Sequence, residues 1–276
     1  MTAPGEFRVF RGADGVAEKL GGTVVAFGKF DGVHRGHRAL LDRALGSGRR
    51  MGLPTGAVTF VRHPHAYLRG ETPPALTGLA DRLRLLRDAG AAFVVLLPTD
   101  ETVLGVAAED FAREVLRDRM GVRLVVVGGN FRFGRGGAGD VATLRRLVSV
   151  TGLDGVELGM VTVGGEAVSA SRIREYLARG DVGRAADLLG RPYDVTGRLD
   201  GEAALIRIAP SSAVPAPGSY RVSIGPLRPG DHGTAAVVAV RPSGEGAHSM
   251  TVERPRNGLP GVVPGRGVRV TLGGAA

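Results

Sequence analysis

Through the first 190 residues, short continuous apolar runs alternate with stretches in which leucine, valine or phenylalanine recur every three or four positions. The runs at 23–27, 53–60, 92–97, 123–127 and 156–163 are bounded by glycine, proline or charge, as expected of strands buried on both faces. Between them, residues 38–45, 78–89, 107–120, 140–150, 169–178 and 182–188 read as helices. Leu79, Leu83 and Leu86 share one side of the second, and Phe111, Val115 and Leu116 face inward from the third. This alternation predicts an α/β fold: a parallel sheet covered by helices, with ligands beyond the carboxyl ends of its strands.

After Gly190 the pattern changes. Proline and glycine become frequent, and short runs follow closely at 203–209, 219–224, 234–240, 249–253 and 268–272, which predicts a small antiparallel barrel or sandwich. Arg191-Pro192-Tyr193 is the expected junction between an α/β domain, 1–190, and an all-β domain, 191–276.

Composition narrows the choices. At 276 residues, 43% hydrophobic and 23% charged, the chain reads as one large or two modest globular domains. With no cysteine there is neither a disulfide framework nor a thiolate nucleophile or metal ligand. No apolar run approaches the roughly 20 residues of a membrane span. Residues 1–20 lack the apolar segment of a secretory signal, so a cytoplasmic protein without a membrane partner is expected. The formal charge of +9 is dispersed and aromatic residues are only 5%, which argues against nucleic acid as a partner. Lys19 and Lys29 are the only lysines, which draws attention to the second of them.

The candidate chemistry begins where the first run ends. Gly28-Lys29-Phe30-Asp31-Gly32-Val33-His34-Arg35-Gly36-His37 reads as strand end, phosphate-sized turn and helix start, with His34 and His37 on one face of the first helical turn. Backbone N–H groups there lack intrahelical partners and attract anions, and the glycines permit close approach. Two histidines without a third ligand make a poor zinc site, so no metal centre is expected. Residues 129–140, after the fourth run, form a glycine-rich loop carrying Asn130, Phe131 and Phe133, with Asp140 placed to cap the next helix. Ser169 or Ser171 can cap the helix after it, and Arg174 is one turn in, able to reach a phosphate. After the second run, Phe60, His63, Pro64 and Tyr67 could offer a turn and apolar faces to a ring, although aromatic residues at strand ends more often fill cores.

Taken in order, GKFDGVHRGH, TFVRHPHA, VVVGGNFRFG and VSASRIR, followed by LLGRPY, resemble the adenylyltransferase module of the bacterial bifunctional riboflavin kinase/FAD synthetase family across residues of about 20 to 195. The resemblance implies a Rossmann-like nucleotidyltransferase that joins FMN to the AMP part of ATP with Mg²⁺, giving FAD and pyrophosphate. It places Gly28, Phe30, Asp31, His34, Gly36 and His37 on the family's nucleotide signature, Asn130 on its catalytic asparagine, and Ser171 and Arg174 on its Ser-Thr-x-x-Arg stretch. With Lys29 and Ser169, these form the expected catalytic (His34, His37, Asn130, Arg174) and nucleotide-binding sets. Phe60, His63, Pro64, Tyr67, Phe131 and Phe133 form the flavin-side set.

The chain departs from the family's usual pattern at Lys29, at Val61-Arg62 in place of Asp-Pro, and at Ala170 in place of a second serine. The second domain has Pro217-Gly218-Ser219-Tyr220 where a riboflavin kinase barrel begins a strand, but no Gly-Phe-Pro-Thr-Ala-Asn motif and no complete base motif around Glu253. A kinase-like barrel without kinase chemistry is therefore expected. Transfer from another nucleotide such as CTP, transfer to a modified flavin, and a non-catalytic flavin- or nucleotide-binding regulator remain the alternatives. Oligomeric state is not legible.

Overall fold

The computed structural model describes residues 6–62, 72–200, 205–227, 233–243, 247–253 and 265–275. They divide into two compact units, Met1–Thr72 with Leu79–Thr162, and Pro73–Gly78 with Val163–Ala276.

The first unit is a six-stranded parallel sheet. Its strands are β1 (Arg8–Arg11), β2 (Thr23–Phe27), β3 (Thr55–Phe60), β4 (Phe93–Leu97), β5 (Val122–Gly128) and β6 (Asp154–Leu158), in the order β1-β4-β3-β2-β5-β6. Helices α1 (Val16–Leu20), α2 (Arg35–Met51), α3 (Leu79–Asp88), α4 (Glu101–Leu104), α5 (Ala108–Asp110, continuing as the π-helix Phe111–Arg119) and α6 (Val141–Thr151) connect them. Side chains alternate across the sheet as strand geometry requires. Val24, Ala26, Ala57, Val94 and Val126 pack with Leu40, Leu41 and Ala44 of α2 and with Leu85 and Leu86 of α3. Val25, Phe27, Val58, Val95 and Val127 pack with Phe111, Val115 and Leu116 of α5 and with Leu144 of α6.

Helices α1 and α4 and the strand Tyr193–Asp200 are absent from the predicted pattern, and three further differences have structural counterparts. Helix α2 starts three residues earlier, because extended His34 (φ −70°, ψ 173°) caps it, and runs to Gly52, which ends it at φ 65°. It continues through Gly46 and Gly48 because the helix packs closely on β3. A Cβ at Gly48 would collide with the Thr55 hydroxyl and the Leu53 carbonyl. The run 156–163 is two elements. After β6, Thr162–Val163 pairs with Glu166–Ala167 (β7 and β8) across Gly164 (φ 58°) and Gly165 (φ 82°). Two consecutive left-handed glycines are what a tight two-residue hairpin turn demands. Strand β1, absent from the pattern, joins the sheet edge parallel to β4.

The second unit holds α7 (Ala170–Ala178), α8 (Val182–Leu189) and a closed antiparallel barrel. The barrel strands are β9 (Tyr193–Asp200), β10 (Leu205–Ile208), β11 (Gly218–Pro226), β12 (Thr234–Ser243), β13 (Ala247–Glu253) and β14 (Gly267–Ala275), in the order β10-β13-β12-β11-β14-β9. Val195, Ile206, Val222, Val238, Met250 and Val270 belong to one buried cluster together with Ile173, Leu177, Leu188 and Leu189 of the two helices. This shared core is why the compact unit begins at Val163, whereas the strand pattern changes only near residue 191. The Tyr193 hydroxyl donates to the Ala213 carbonyl at 2.6 Å, satisfying a polar group that the core would otherwise strand.

Candidate active site

Strands β2 and β5 are adjacent, and the connections that follow them leave in opposite directions, to β3 on one side and β6 on the other. The sheet's topological switch point is therefore at their carboxyl ends, where a crevice opens in folds of this kind.

The turn after β2 fills that position. Gly28 N–H donates to the Val58 carbonyl at 3.1 Å, so the chain leaves the sheet still paired. Phe30 (φ 52°) and Val33 (φ 39°) both take left-handed backbone conformations, with Gly32 between them at φ 80°. A β-branched residue at positive φ is strained by roughly 1–3 kcal/mol, and such strain persists only where packing over-determines it. Here Phe30 and Val33 are both fully buried, which supplies that packing. Asp31 is 7% exposed, and Lys29 lies on the surface.

His34 and His37 follow at once. The His34 Nδ1 accepts the His37 backbone N–H at 3.3 Å, capping α2. To accept, Nδ1 must be unprotonated, so the capping imidazole carries its proton on Nε2. The two rings stack with centroids 3.7 Å apart and planes 15° from parallel, and the Phe30 ring lies 5.0 Å from that of His37. The His37 Nδ1 is buried with no hydrogen-bond partner. Burial, then His34, then the Arg82 cation hold the His37 pKa well below its ordinary value, so this imidazole is neutral at pH 7.

Arg82 on α3 went unnoticed in the sequence. It is only 9% exposed, and its guanidinium donates to the Lys29 carbonyl (3.2 Å), the Phe60 carbonyl (2.8 Å) and the Val61 carbonyl (3.2 Å). The Thr59 hydroxyl donates to the same Lys29 carbonyl at 2.9 Å. Burial lowers the Arg82 pKa and Asp31 partly offsets that, but a guanidinium stays charged. The signal that could have found it is position: Arg82 lies three residues after Leu79 and four before Leu86, on the apolar side of the helix.

The glycine-rich loop after β5 is tied down at several points. Phe131 N–H donates to the Gly128 carbonyl at 2.9 Å, and Phe133 and Gly139 exchange backbone bonds of 3.0 and 2.9 Å. The Arg135 Nε donates to the Gly105 carbonyl at 2.9 Å. Asp140 caps α6 through the Thr143 N–H at 2.9 Å, and that bond holds its carboxyl below the usual range. Asn130 is exposed at the end of β5.

Of the flavin-side set, His63, Pro64 and Tyr67 lie outside the described residues. Phe60, Phe131 and Phe133 gather around Phe27, whose ring lies 5.8 Å from Phe60 and 5.1 Å from Phe131. Phe133 stacks 5.5 Å from Phe131 and is 5% exposed, so its ring is spent on the core, while Phe60 and Phe131 keep partial exposure.

Ser169, Ser171 and Arg174 belong to the second unit. The Ser169 Oγ accepts the Arg172 N–H at 3.2 Å and caps α7, Ser171 is exposed in its first turn, and the Arg174 Nε donates to the Pro74 carbonyl at 2.6 Å. Among the described residues no group of three or more His, Asp or Glu gathers to hold a metal ion, and no helix is long and apolar enough to cross a membrane.

Fold and site together define an α/β protein with a strained, glycine-framed turn and a paired-histidine helix start at its switch point. The chain belongs to the FAD synthetase family, whose model matches residues 16–172. It is 34% identical over 179 residues to the Escherichia coli (strain K12) bifunctional riboflavin kinase/FMN adenylyltransferase, covering 64% of this chain and 57% of that protein. The protein of the same description from Pseudomonas fluorescens is 31% identical over 259 residues, covering 89% of this chain and 82% of the relative. The chain thus spans little more than half the length of the E. coli relative. A crystal structure described as a macrolide-efflux protein from Streptococcus pneumoniae matches with a TM-score of 0.79, covering 97% of this chain and 90% of that one. At 21% identity, that likeness concerns the fold alone.

Proposed function

We propose that this chain is an FMN adenylyltransferase, transferring AMP from ATP to FMN with release of pyrophosphate. The observation that carries the reading is the stacked His34 and His37 pair at the start of α2, beside the switch point of a chain in the FAD synthetase family. A phosphate oxygen of FMN forms a bond to the α-phosphorus of ATP, and the bond from that phosphorus to the oxygen bridging to the β-phosphate breaks. Negative charge moves onto the departing pyrophosphate, so the chain's work is positioning and charge stabilisation.

The histidines act in this scheme as neutral donors. The His34 Nδ1, occupied as an acceptor, leaves that ring's proton on Nε2, and with its own Nδ1 turned into the protein the His37 ring is proposed to present Nε2–H to a phosphate oxygen. The positive end of α2 adds to them. Gly28 fits the same scheme: a Cβ there would make only ordinary contact with Phe30, so the chain's own packing leaves that face open to a ligand. Lys29, Phe30, Asp31 and Gly36 frame the triphosphate, and Asn130 meets the reacting phosphates from β5. Phe60 and Phe131 offer apolar surface to the flavin ring, and Ser169, Ser171 and Arg174, on the stretch resembling the family's Ser-Thr-x-x-Arg, are proposed as nucleotide contacts of the second unit. Mg²⁺ brought with ATP would supply neutralisation of phosphate charge. Bound with the nucleotide it would need one or two protein carboxylates at most.

We assign residues 1–190 to this module, since the family match, residues 16–172, ends before the first barrel strand at Tyr193. Residues 191–276 are read as a kinase-like barrel without riboflavin kinase activity, on the missing Pro-Thr-Ala-Asn motif. The test is purified protein with FMN, ATP and Mg²⁺, followed for FAD and pyrophosphate. Release with CTP or only with a modified flavin reassigns the substrates. Binding of both substrates without release makes the protein a regulator.

A further inference from the structure

Arg82 bonds both the turn after β2 and the end of β3 through a single side chain. Its three acceptors are backbone carbonyls: Lys29 in the phosphate turn, and Phe60 and Val61 where β3 leads toward the flavin-side segment. Thr59 reinforces the first of these contacts. Burying a guanidinium is costly, and three neutral carbonyls repay it less well than a carboxylate would. The Arg82 Nε is moreover buried without a partner, so this side chain is not placed for maximal stability. Asp31, from the turn, and His37, from α2, both feel its charge.

We propose that Arg82 is a positioning residue for the transfer reaction, fixing the phosphate turn at Lys29 against the end of β3 at Phe60 and Val61. This rests on the adenylyltransferase reading, in which ATP phosphates bind the turn and the flavin approaches from the β3 side. The two reacting phosphates must meet within a few tenths of an ångström, and a misplacement of about 1 Å far from the chemistry can cost a hundredfold in rate. The Thr59 hydroxyl, itself on β3, ties that strand to the same Lys29 carbonyl. The Arg82 charge also acts on His37 from α3, while His34, the cap of α2, stacks on the His37 ring and Phe30 packs against it. That charge therefore helps keep the imidazole neutral, as the donor role requires.

The test compares Arg82→Lys and Arg82→Met with the wild type in FMN, ATP and Mg²⁺, with thermal melting to count folded molecules. Lysine keeps the charge but not the fork that spans two segments, and methionine removes both. Per folded molecule, we expect kcat to fall at least tenfold in Arg82→Lys with its acid limb in place. Arg82→Met should lose as much and shift its acid limb to higher pH, because His37 no longer faces a cation. Wild-type kcat per folded molecule in Arg82→Lys overturns the proposal, and that variant decides alone if Arg82→Met does not fold. A folded Arg82→Met with the wild-type acid limb overturns the electrostatic half. If the wild type itself makes no FAD, it is the functional reading that fails, a different outcome from normal turnover in the variants.

Discussion

The imidazoles of His34 and His37 lie face to face, 3.7 Å between centroids, with one Nδ1 accepting a backbone N–H and the other buried without a partner. Burial, and then the neighbouring His34, disfavour charge on His37. In the proposed reaction His37 donates while neutral, so activity should be lost on acidification as it takes up a proton.

That gives a pH prediction with a definite sign. The pKa of His37 is lower in the folded state than its unfolded value of about 6.5, so the unfolded chain takes up a proton that the fold refuses. Stability should fall as pH drops below about 6.5 and level off only below the depressed folded value. Denaturant melts from pH 7.5 to 5 should show a shallower fall in His37→Gln than in the wild type. Equal slopes would remove the assignment. His37→Ala should also lower FAD formation more than tenfold at pH 7.5, since it removes a donor to the developing charge.

Gly48→Ala tests the packing of α2 on β3. Alanine gains roughly 1 kcal/mol of helix propensity over glycine. Against that, its Cβ would meet the Leu53 carbonyl at 2.9 Å and collide with the Thr55 hydroxyl. Overpacking of this kind costs about 1–3 kcal/mol, and backbone on one side leaves little room to relax. We expect net destabilisation in urea melts, whereas the same change at Gly46, which faces only the ends of arginine side chains, should stabilise.

Ser169→Ala separates capping from substrate contact. Losing the bond from the Arg172 N–H should cost about 1 kcal/mol. The cap uses an oxygen lone pair and leaves the hydroxyl proton for an acceptor, so the KM for ATP should rise as well. An unchanged KM with lowered stability would reduce Ser169 to a cap.

The barrel yields a negative prediction. Riboflavin with ATP and Mg²⁺ should give no FMN, because the chain lacks the Pro-Thr-Ala-Asn motif. FMN appearing in that assay would mean that other residues of 191–276 supply the nucleotide site.

The four central strands, β2 to β5, could be read directly from the chain, because a strand buried on both faces is apolar nearly throughout, as β4 is and as β2 is from Val24 onward. The histidine pair was equally local: a spacing of three puts both rings on one helical face, and the structure needed only to cap the helix with the first. Asp140 and Ser169 were readable as caps for the same reason. Strand order, by contrast, depends on pairing between segments far apart in sequence. Only the tertiary structure set β2 beside β5 and so placed the turn and the Asn130 loop at one switch point. It also closed the late strands into a barrel sharing a core with α7 and α8, which put Ser169 and Arg174 in the second compact unit. Arg82 shows the limit most plainly. In sequence it is one arginine among many, and its meaning depends on carbonyls 21, 22 and 53 positions away that approach it only after the sheet has formed.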